Sequence, residues 1–246
     1  PYLVVTYTPP VTTVTQPITL TVSPVGSPTV TFTVSGCSAN PTTIAGDGSA
    51  HNIVAQPNCD LTVSYTNPPG NSRYVFGDLT SSWTVHTCGS GTCSGASRTY
   101  YYQHKLTVAS AHDSPSPAVG DTWYNSGTSV TASVTSPADE SGGTRYRCTG
   151  WSGSGSVPAS GTAATVTFTI TAPSTITWNW IAQYLLTVKT NGLPSPYTSA
   201  VSVGGSATTD DYGVSTINDG SANGWRKWFD ASPSSTGTIG VDSPVA

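Results

Sequence analysis

Side chains able to do acid–base or metal chemistry are few in this chain and scattered along it. The four histidines, His51, His86, His104 and His112, occupy separate segments with no i, i+4 pair and no His-x-x-x-His. Ligating or proton-transferring imidazoles come with a second group at short range, so these read as structural side chains. Asp139 and Glu140, and again Asp210 and Asp211, are neighbours along the chain. On a strand, neighbours point to opposite faces, which is wrong for paired acid and base work. On a loop, Asp210, Asp211 and Asp219 have the oxygen chemistry to gather round Ca2+; solvated turn residues are the simpler reading. Serine is abundant, yet no Gly-x-Ser-x-Gly elbow joins a strand to a helix. Lys189, at a strand start, has the amine for an isopeptide cross-link, but nothing singles out an Asn or Asp partner. The expectation is a protein that is not an enzyme and holds no cofactor and no metal.

Five cysteines allow covalent cross-links instead. Cys88 and Cys93 flank Gly-Ser-Gly-Thr, a spacing that suits a small disulfide-closed loop, and Cys37 and Cys59 bracket a Pro-, Gly- and Asn-rich excursion that a second bridge would staple. Zinc is the competing reading of such a set, but neither a Cys-x-x-Cys pair nor a nearby His pair accompanies it. Disulfides imply an oxidising, extracellular setting. Cys148 is left over, either as a buried free thiol or as half of an intermolecular bridge.

The remaining composition sets the fold class. Charged residues make up 8% of the 246, against roughly a quarter in an ordinary globular chain, and Thr, Ser, Val, Gly and Pro dominate. Methionine is absent and no window sustains helical periodicity, so the chain reads as all-β. A net charge of −4 with only eight Lys and Arg argues against nucleic acid, because a phosphate-binding face needs clustered cations. No apolar run reaches the roughly 18 residues of a membrane span. No basic and apolar leader precedes Pro1, so a signal peptide is expected to have been removed already, the alternative being that none existed.

Two seams organise this β-rich chain. Arg98-Thr99-Tyr100-Tyr101-Tyr102-Gln103-His104-Lys105-Leu106-Thr107-Val108 and Ile176-Thr177-Trp178-Asn179-Trp180-Ile181-Ala182-Gln183-Tyr184-Leu185-Leu186-Thr187-Val188 each run from an aromatic, alternating segment straight into an apolar-Thr-apolar strand. Each reads as a strand closing one unit, continued by the strand that opens the next. The opening Leu-Thr-Val occurs at Leu20, Leu106 and Leu186, 86 and 80 residues apart, a length at which a small sandwich encloses its own core. Another copy at Leu61 shows how readily a Thr/Val-rich chain produces the tripeptide. Longer matches carry more weight: Asn71-Ser72-Arg73-Tyr74-Val75-Phe76 aligns with Gly143-Thr144-Arg145-Tyr146-Arg147-Cys148 and, loosely, with Trp225-Arg226-Lys227-Trp228-Phe229. Cys148 thus falls where the first repeat has Phe76. The expected fold is tandem immunoglobulin-like β-sandwich units, with an N-terminal arm over 1–16, units over 17–104 and 105–183, and a third over 184–246. The Gly-Ser-Gly-Ser around Trp151 reads as a turn.

The ends complement one another. Phe168-Thr169-Ile170-Thr171-Ala172-Pro173-Ser174-Thr175 precedes the closing strand Ile176 to Trp180, and Ile239-Gly240-Val241-Asp242-Ser243-Pro244-Val245-Ala246 matches it through the proline. On that alignment the third unit lacks its last strand, leaving an acceptor groove lined by Ile239, Val241, Val245, Leu186 and Val188. A sandwich short of a strand exposes apolar surface and unpaired backbone groups. The arm carries a spare strand, Leu3, Val4, Val5, Thr6 and Tyr7, with the alternation and aromatic content of the absent one. Such a donor closes the groove either of another copy or of its own chain. Trp123, Trp151, Trp178, Trp180, Trp225 and Trp228 have the rings for a sugar-stacking platform, but their repeat-matched positions favour core and seam packing.

The Leu-Thr-Val openings, Gly120-Asp121-Thr122-Trp123-Tyr124, Arg145-Tyr146, Thr149-Gly150-Trp151-Ser152-Gly153 and Thr177-Trp178-Asn179-Trp180 together resemble the tandem β-sandwich repeats of archaeal cell-surface proteins, from about residue 18 onward. The arm and shortened third unit resemble subunits of extracellular pili or threads of hyperthermophilic archaea. The resemblance implies a cell-surface filament subunit that polymerises with identical copies by donor-strand complementation, serving adhesion, biofilm or cell–cell contact, with surface glycans or other cells as further partners. The chain departs from heavily glycosylated members. Asn40-Pro41-Thr42 and Asn71-Ser72-Arg73 both fail as N-glycosylation sites, so any glycans would be O-linked. The alternative function is a carbohydrate-binding or adhesive module of a larger surface protein.

Overall fold

The computed structural model describes residues 12–67, 69–188, 198–204, 215–218, 225–231 and 238–241. Among them the chain is all-β, with several sheets and no helix. Alternation dictates this: in Thr31-Phe32-Thr33-Val34-Ser35 and Thr165-Val166-Thr167-Phe168-Thr169-Ile170 every second side chain is apolar and buried, while the hydroxyl residues between are exposed.

The first eight strands are β1 (Val14–Ser23), β2 (Thr31–Ser35), β3 (Thr43–Ala45), β4 (Ala50–Ala55), β5 (Asp60–Ser64), β6 (Ser72–Phe76), β7 (Ser82–His86) and β8 (Ala96–Ala109). β3-β2-β5-β7 form one sheet and β4-β1-β8, with β6 on β8, contribute to a second. Ile18, Leu20, Phe32, Val34, Leu61, Val63, Phe76 and Tyr100 of the two sheets meet in one core. The rings of Tyr65 and Tyr100 stand edge-on to Phe32 at centroid distances of 5.4 and 5.0 Å, a favoured aromatic geometry. The Tyr100 hydroxyl donates to the Gly46 carbonyl at 2.7 Å. That close approach explains the glycine, because a Cβ on Gly46 would collide with the Phe32 and Tyr100 rings.

The next strands are β9 (Gly120–Asn125), β10 (Thr128–Ser133), β11 (Ala138–Ser141), β12 (Thr144–Ser154), β13 (Ser160–Gly161), β14 (Thr165–Ile170) and β15 (Ser174–Val188). β10 and β14 form a two-stranded sheet that packs on β8, β12 and β15 over a second core, including Leu106, Val108, Val130, Phe168, Ile176, Trp151 and Trp178. Cys148 is a free, buried thiol in this core. The segment around Trp151 is not a turn: β12 continues through it, paired with β15 to Ser154↔Thr175, and the chain reverses only after that. A register shift between Cys148 and Gly150 keeps the strand going, with Gly150 at φ 118°, where a side chain would be strained.

Last come β16 (Thr198–Gly204), β17 (Ser215–Asn218), β18 (Trp225–Asp230) and β19 (Thr238–Val241). Their pairing repeats that of β1 to β5. β16 pairs β17 and β19 as β2 pairs β3 and β5, and β18 pairs the end of β15 as β4 pairs β1. Trp225–Phe229 therefore takes the place of β4 and β9, not of Asn71–Phe76. β19 likewise takes the place of β5, whereas the sequence alignment set it beside Phe168–Thr175. Thr/Val alternation makes such strands interchangeable by sequence, and only the hydrogen-bonded partners separate them. At the other end, β1 begins at Val14, before the expected arm boundary at Gln16, and Pro17 lies inside it opposite Asn52. The proline sits one residue before parallel pairing with β8 begins at Ile18, a place where the missing N–H is tolerated.

Phe32→Ala should destabilise the protein by about 3–5 kcal/mol in urea unfolding, and Gly46→Ala by about 1–3 kcal/mol through overpacking. A Gly46→Ala midpoint equal to that of the unsubstituted chain would contradict the packing described.

Candidate functional site

β8 and β15 are the two elements on which the strand sets meet. Along β8, residues 96–101 run parallel to β1, 100–104 pair antiparallel with β6, 103–108 pair antiparallel with β9, and 106–109 run parallel to β15. One continuous strand thus serves the first core with its first half and the second core with its second half. β15 changes partners in the same way, pairing β8 over 174–177, β12 over 175–184 and β18 over 183–188.

The two junctions carry one set of side chains in one geometry. At the first, Arg73 Nε donates to Gln103 Oε1 at 2.9 Å, and Gln103 Nε2 donates to Asn125 Oδ1 at 2.9 Å. The Arg73 guanidinium lies 4.3 Å from the Trp123 ring centroid. At the second, Arg145 Nε donates to Gln183 Oε1 at 2.7 Å, Gln183 Nε2 to Asp230 Oδ1 at 2.6 Å, and the Arg145 guanidinium again lies 4.3 Å from a ring, that of Trp228. The backbone repeats as well. Lys105 N donates to Asn71 O and Leu185 N to Gly143 O; Ser126 N donates to Tyr102 O and Ala231 N to Ala182 O. Both glutamines are buried, and each ties a strand of the preceding set to a strand of the following one. The Arg-Tyr and Trp motifs were visible in the sequence, but their convergence on Gln103 and Gln183 was not. The signal lay in a Gln three residues before the Leu of Leu-Thr-Val at both seams.

The second clamp has an addition. Arg147 donates through Nε to Asp230 Oδ1 at 3.2 Å and pairs through its second nitrogen with Oδ2. That hydrogen bond, with help from Gln183 and opposed by burial, holds the Asp230 carboxyl below the usual carboxylate range.

The other candidate residues are dispersed. His51, His86 and His112 each face one carboxylate, Asp47, Asp60 and Asp139, at 3.0, 2.7 and 2.9 Å. His112 also stacks on Tyr146. His104 is buried and meets Ser72 Oγ at 3.0 Å through Nδ1, while Nε2 has no partner. Burial lowers its pKa, so the neutral ring is favoured. It lines an open, uncharged hollow of about 410 Å3 with Tyr102, Ser126, Thr171 and the loop from Pro24 to Pro28. Among the described residues no three His, Cys, Asp or Glu side chains gather as a metal site. Trp151 and Trp178 are buried in the second core, and Trp123, Trp180 and Trp228 are half-buried, so no planar exposed platform forms from them.

Cys37 pairs with Cys59 and Cys88 with Cys93, at Cα separations of 6.0 and 5.3 Å. The Cys88–Cys93 loop lies along the start of β1, with Thr15 N donating to Gly91 O and Cys93 N to Thr15 O. Of the acceptor-groove residues, Ile239 and Val241 lie on β19 opposite Val203 and Val201, and Leu186 and Val188 lie on β15 opposite Lys227 and Trp225. Val245 and the donor segment Leu3 to Tyr7 lie outside the described residues, as do Lys189, Asp210, Asp211 and Asp219. Among the described residues, β19 has no partner on the side where β5 pairs β7, and the end of β15 has none opposite β18, where β8 holds β15. No helix is long and apolar enough to cross a membrane among those residues.

No protein-family model, curated protein or solved structure matches the chain.

Arg73→Ala and Arg145→Ala each remove a charge-assisted hydrogen bond and a ring contact and leave a glutamine oxygen unpaired, so each should cost about 2–3 kcal/mol in urea unfolding. Lysine at either position should recover less than half of that, because it lacks the planar fork. Wild-type stability in both Ala variants would contradict the clamp.

Proposed function

We propose that this chain is the structural subunit of an extracellular filament, built of tandem immunoglobulin-like β-sandwich units and polymerising head to tail by strand donation. The observation that carries the reading is that, among the described residues, two edges of the third strand set have no partner strand, on β19 and on the end of β15. Open edges are templates for added strands. The proposed donor is Leu3 to Tyr7 of another copy, entering beside β15 with residues such as Leu3, Val5 and Tyr7 turned inward. In β8 and β15 a closing strand continues directly into an opening one. A donated arm that runs on into β1 would reproduce that arrangement between copies, as a further seam.

One arm fills one of the open positions, since among the described residues the pairing of β15 to β19 matches the first five strands of the first set; Ile239, Val241, Val245, Leu186 and Val188 remain the proposed lining of the groove. Several ladder bonds at about 1 kcal/mol net each and three buried side chains at about 1.5–3 kcal/mol each would make a durable joint before ordering costs. A contact of this heterologous kind gives an open fibre when it does not close into a ring. Two disulfides and 8% charged residues fit a cell-surface location and side-by-side bundling in adhesion or biofilm.

Deleting Pro1 to Thr8 tests the proposal. Electron micrographs of the full chain should show fibres, and the deleted chain should remain a folded monomer by circular dichroism and sedimentation. Fibres formed equally well without the segment would overturn strand donation. A full chain that stays monomeric and instead binds glycans would support the alternative, a carbohydrate-binding module of a larger surface protein.

A further inference from the structure

The two clamps are alike in every member but one. Arg73 and Arg145, Gln103 and Gln183, and Trp123 and Trp228 correspond, but the fourth position is Asn125 at the first junction and Asp230 at the second. Val75 stands at the first junction where Arg147 stands at the second, on the evidence of Val75↔Tyr101 and Arg147↔Ile181. The first clamp therefore ends on a neutral amide with Val75 in place of a second cation, and the second on a carboxylate held by an additional guanidinium.

We propose that the two junctions are unequal joints: the first is held by neutral hydrogen bonding from its glutamine onward, and the second is an ionic latch that opens when the Asp230 carboxylate loses its charge. The groups facing Asp230 support this from each packed element. From β12 come Arg147, in direct contact, and Arg145, with Glu140 of β11 3.9 Å from Arg145. From β15 comes Gln183, which is neutral and donates its amide N–H to the carboxylate. On β18 itself the neighbour is the Trp228 ring under Arg145.

Protonation removes the acceptor charge for Arg147, leaving the two arginines facing a neutral acid. The sign follows from the direction of the shift. A carboxyl group whose pKa is lower in the folded chain stabilises the fold above the ordinary Asp value of about 3.9, and that contribution is lost as pH falls through the folded value. β9 carries its own acid, Asp121, bonded to Lys105 and Thr107. That pair is as exposed as Arg147–Asp230, but it ties β9 to β8 alone and takes no part in the glutamine clamp, whereas Asp230 also accepts from Gln183. The latch is therefore specific to the seam between β15 and β18.

Amide hydrogen exchange on the full chain at pH 6 and pH 2.5, corrected for intrinsic rates, reads both joints at once. Protection across 225–230 should fall about tenfold or more at low pH, as expected for loss of a charge-assisted hydrogen bond, while 120–125 changes much less. Asp230→Asn should make the second joint as insensitive to pH as the first, and Asp121→Asn should leave the contrast between them intact. Equal loss of protection in β9 and β18, or an Asp230→Asn chain that keeps the acid response of β18, would overturn the proposal. A chain whose β18 amides are already unprotected at pH 6 would also overturn it, since no latch would then be closed.

Discussion

The structure depends on sharing two long strands between neighbouring strand sets. A β-strand has two hydrogen-bonding edges, and a strand of 14 or 15 residues has enough length to spend each half of each edge differently. β8 and β15 do this, so the end of one set and the start of the next are one piece of backbone with no linker to bend. The parallel contacts β1–β8 and β8–β15 then place each opening strand beside the next seam. Relative orientation is fixed by main-chain hydrogen bonding first. The arginine–glutamine clamps hold the strands at the points where their partners change.

Polar side chains in this chain act as fasteners. Gln103 and Gln183 are buried with both ends of their amides occupied, which is the condition for a buried polar group to favour one structure over its alternatives. The Tyr100 hydroxyl on Gly46, the Tyr65 hydroxyl on Tyr74 and the Trp180 ring nitrogen on Ser110 work similarly, each large ring placing its polar atom on a fixed acceptor. Arg98 lies over the Phe76 and Trp83 rings and pairs with Asp78, whose carboxyl is brought down to about 2 chiefly by the Thr80 hydroxyl. Arg73, Arg98, Arg145 and Arg147 are committed in this way to seams and core margins.

The fold class was legible because alternation of Thr or Ser with Val, Ile or Phe admits one reading. The seams were legible too, since Tyr100 to Val108 and Trp178 to Val188 carry no turn residue. Both cystine pairings followed from loop spacing. The assignment of the third strand set was not legible: Ile239 to Val241 resembles several strands equally, and only its pairing with Val203 and Val201 identifies its place. The continuation of β12 past Trp151 was also hidden. Gly150, Gly153 and Gly155 suggest a turn until β15 is seen to run alongside as far as Ser154. The clamp was not legible because its hydrogen-bonded members lie 22 to 47 residues apart along the chain, and the uncharged Gln before each Leu-Thr-Val gains meaning only beside those partners.

If β8 truly belongs to two cores, neither core can unfold without disturbing the other. Equilibrium urea unfolding followed by two site-specific probes, one beside Phe32 in the first core and one beside Phe168 in the second, tests this most directly. The account predicts coincident transitions, shifted together by a destabilising substitution in either core. Two well-separated transitions, with a substitution in one core leaving the other's midpoint unchanged, would show that the shared strand does not couple the units.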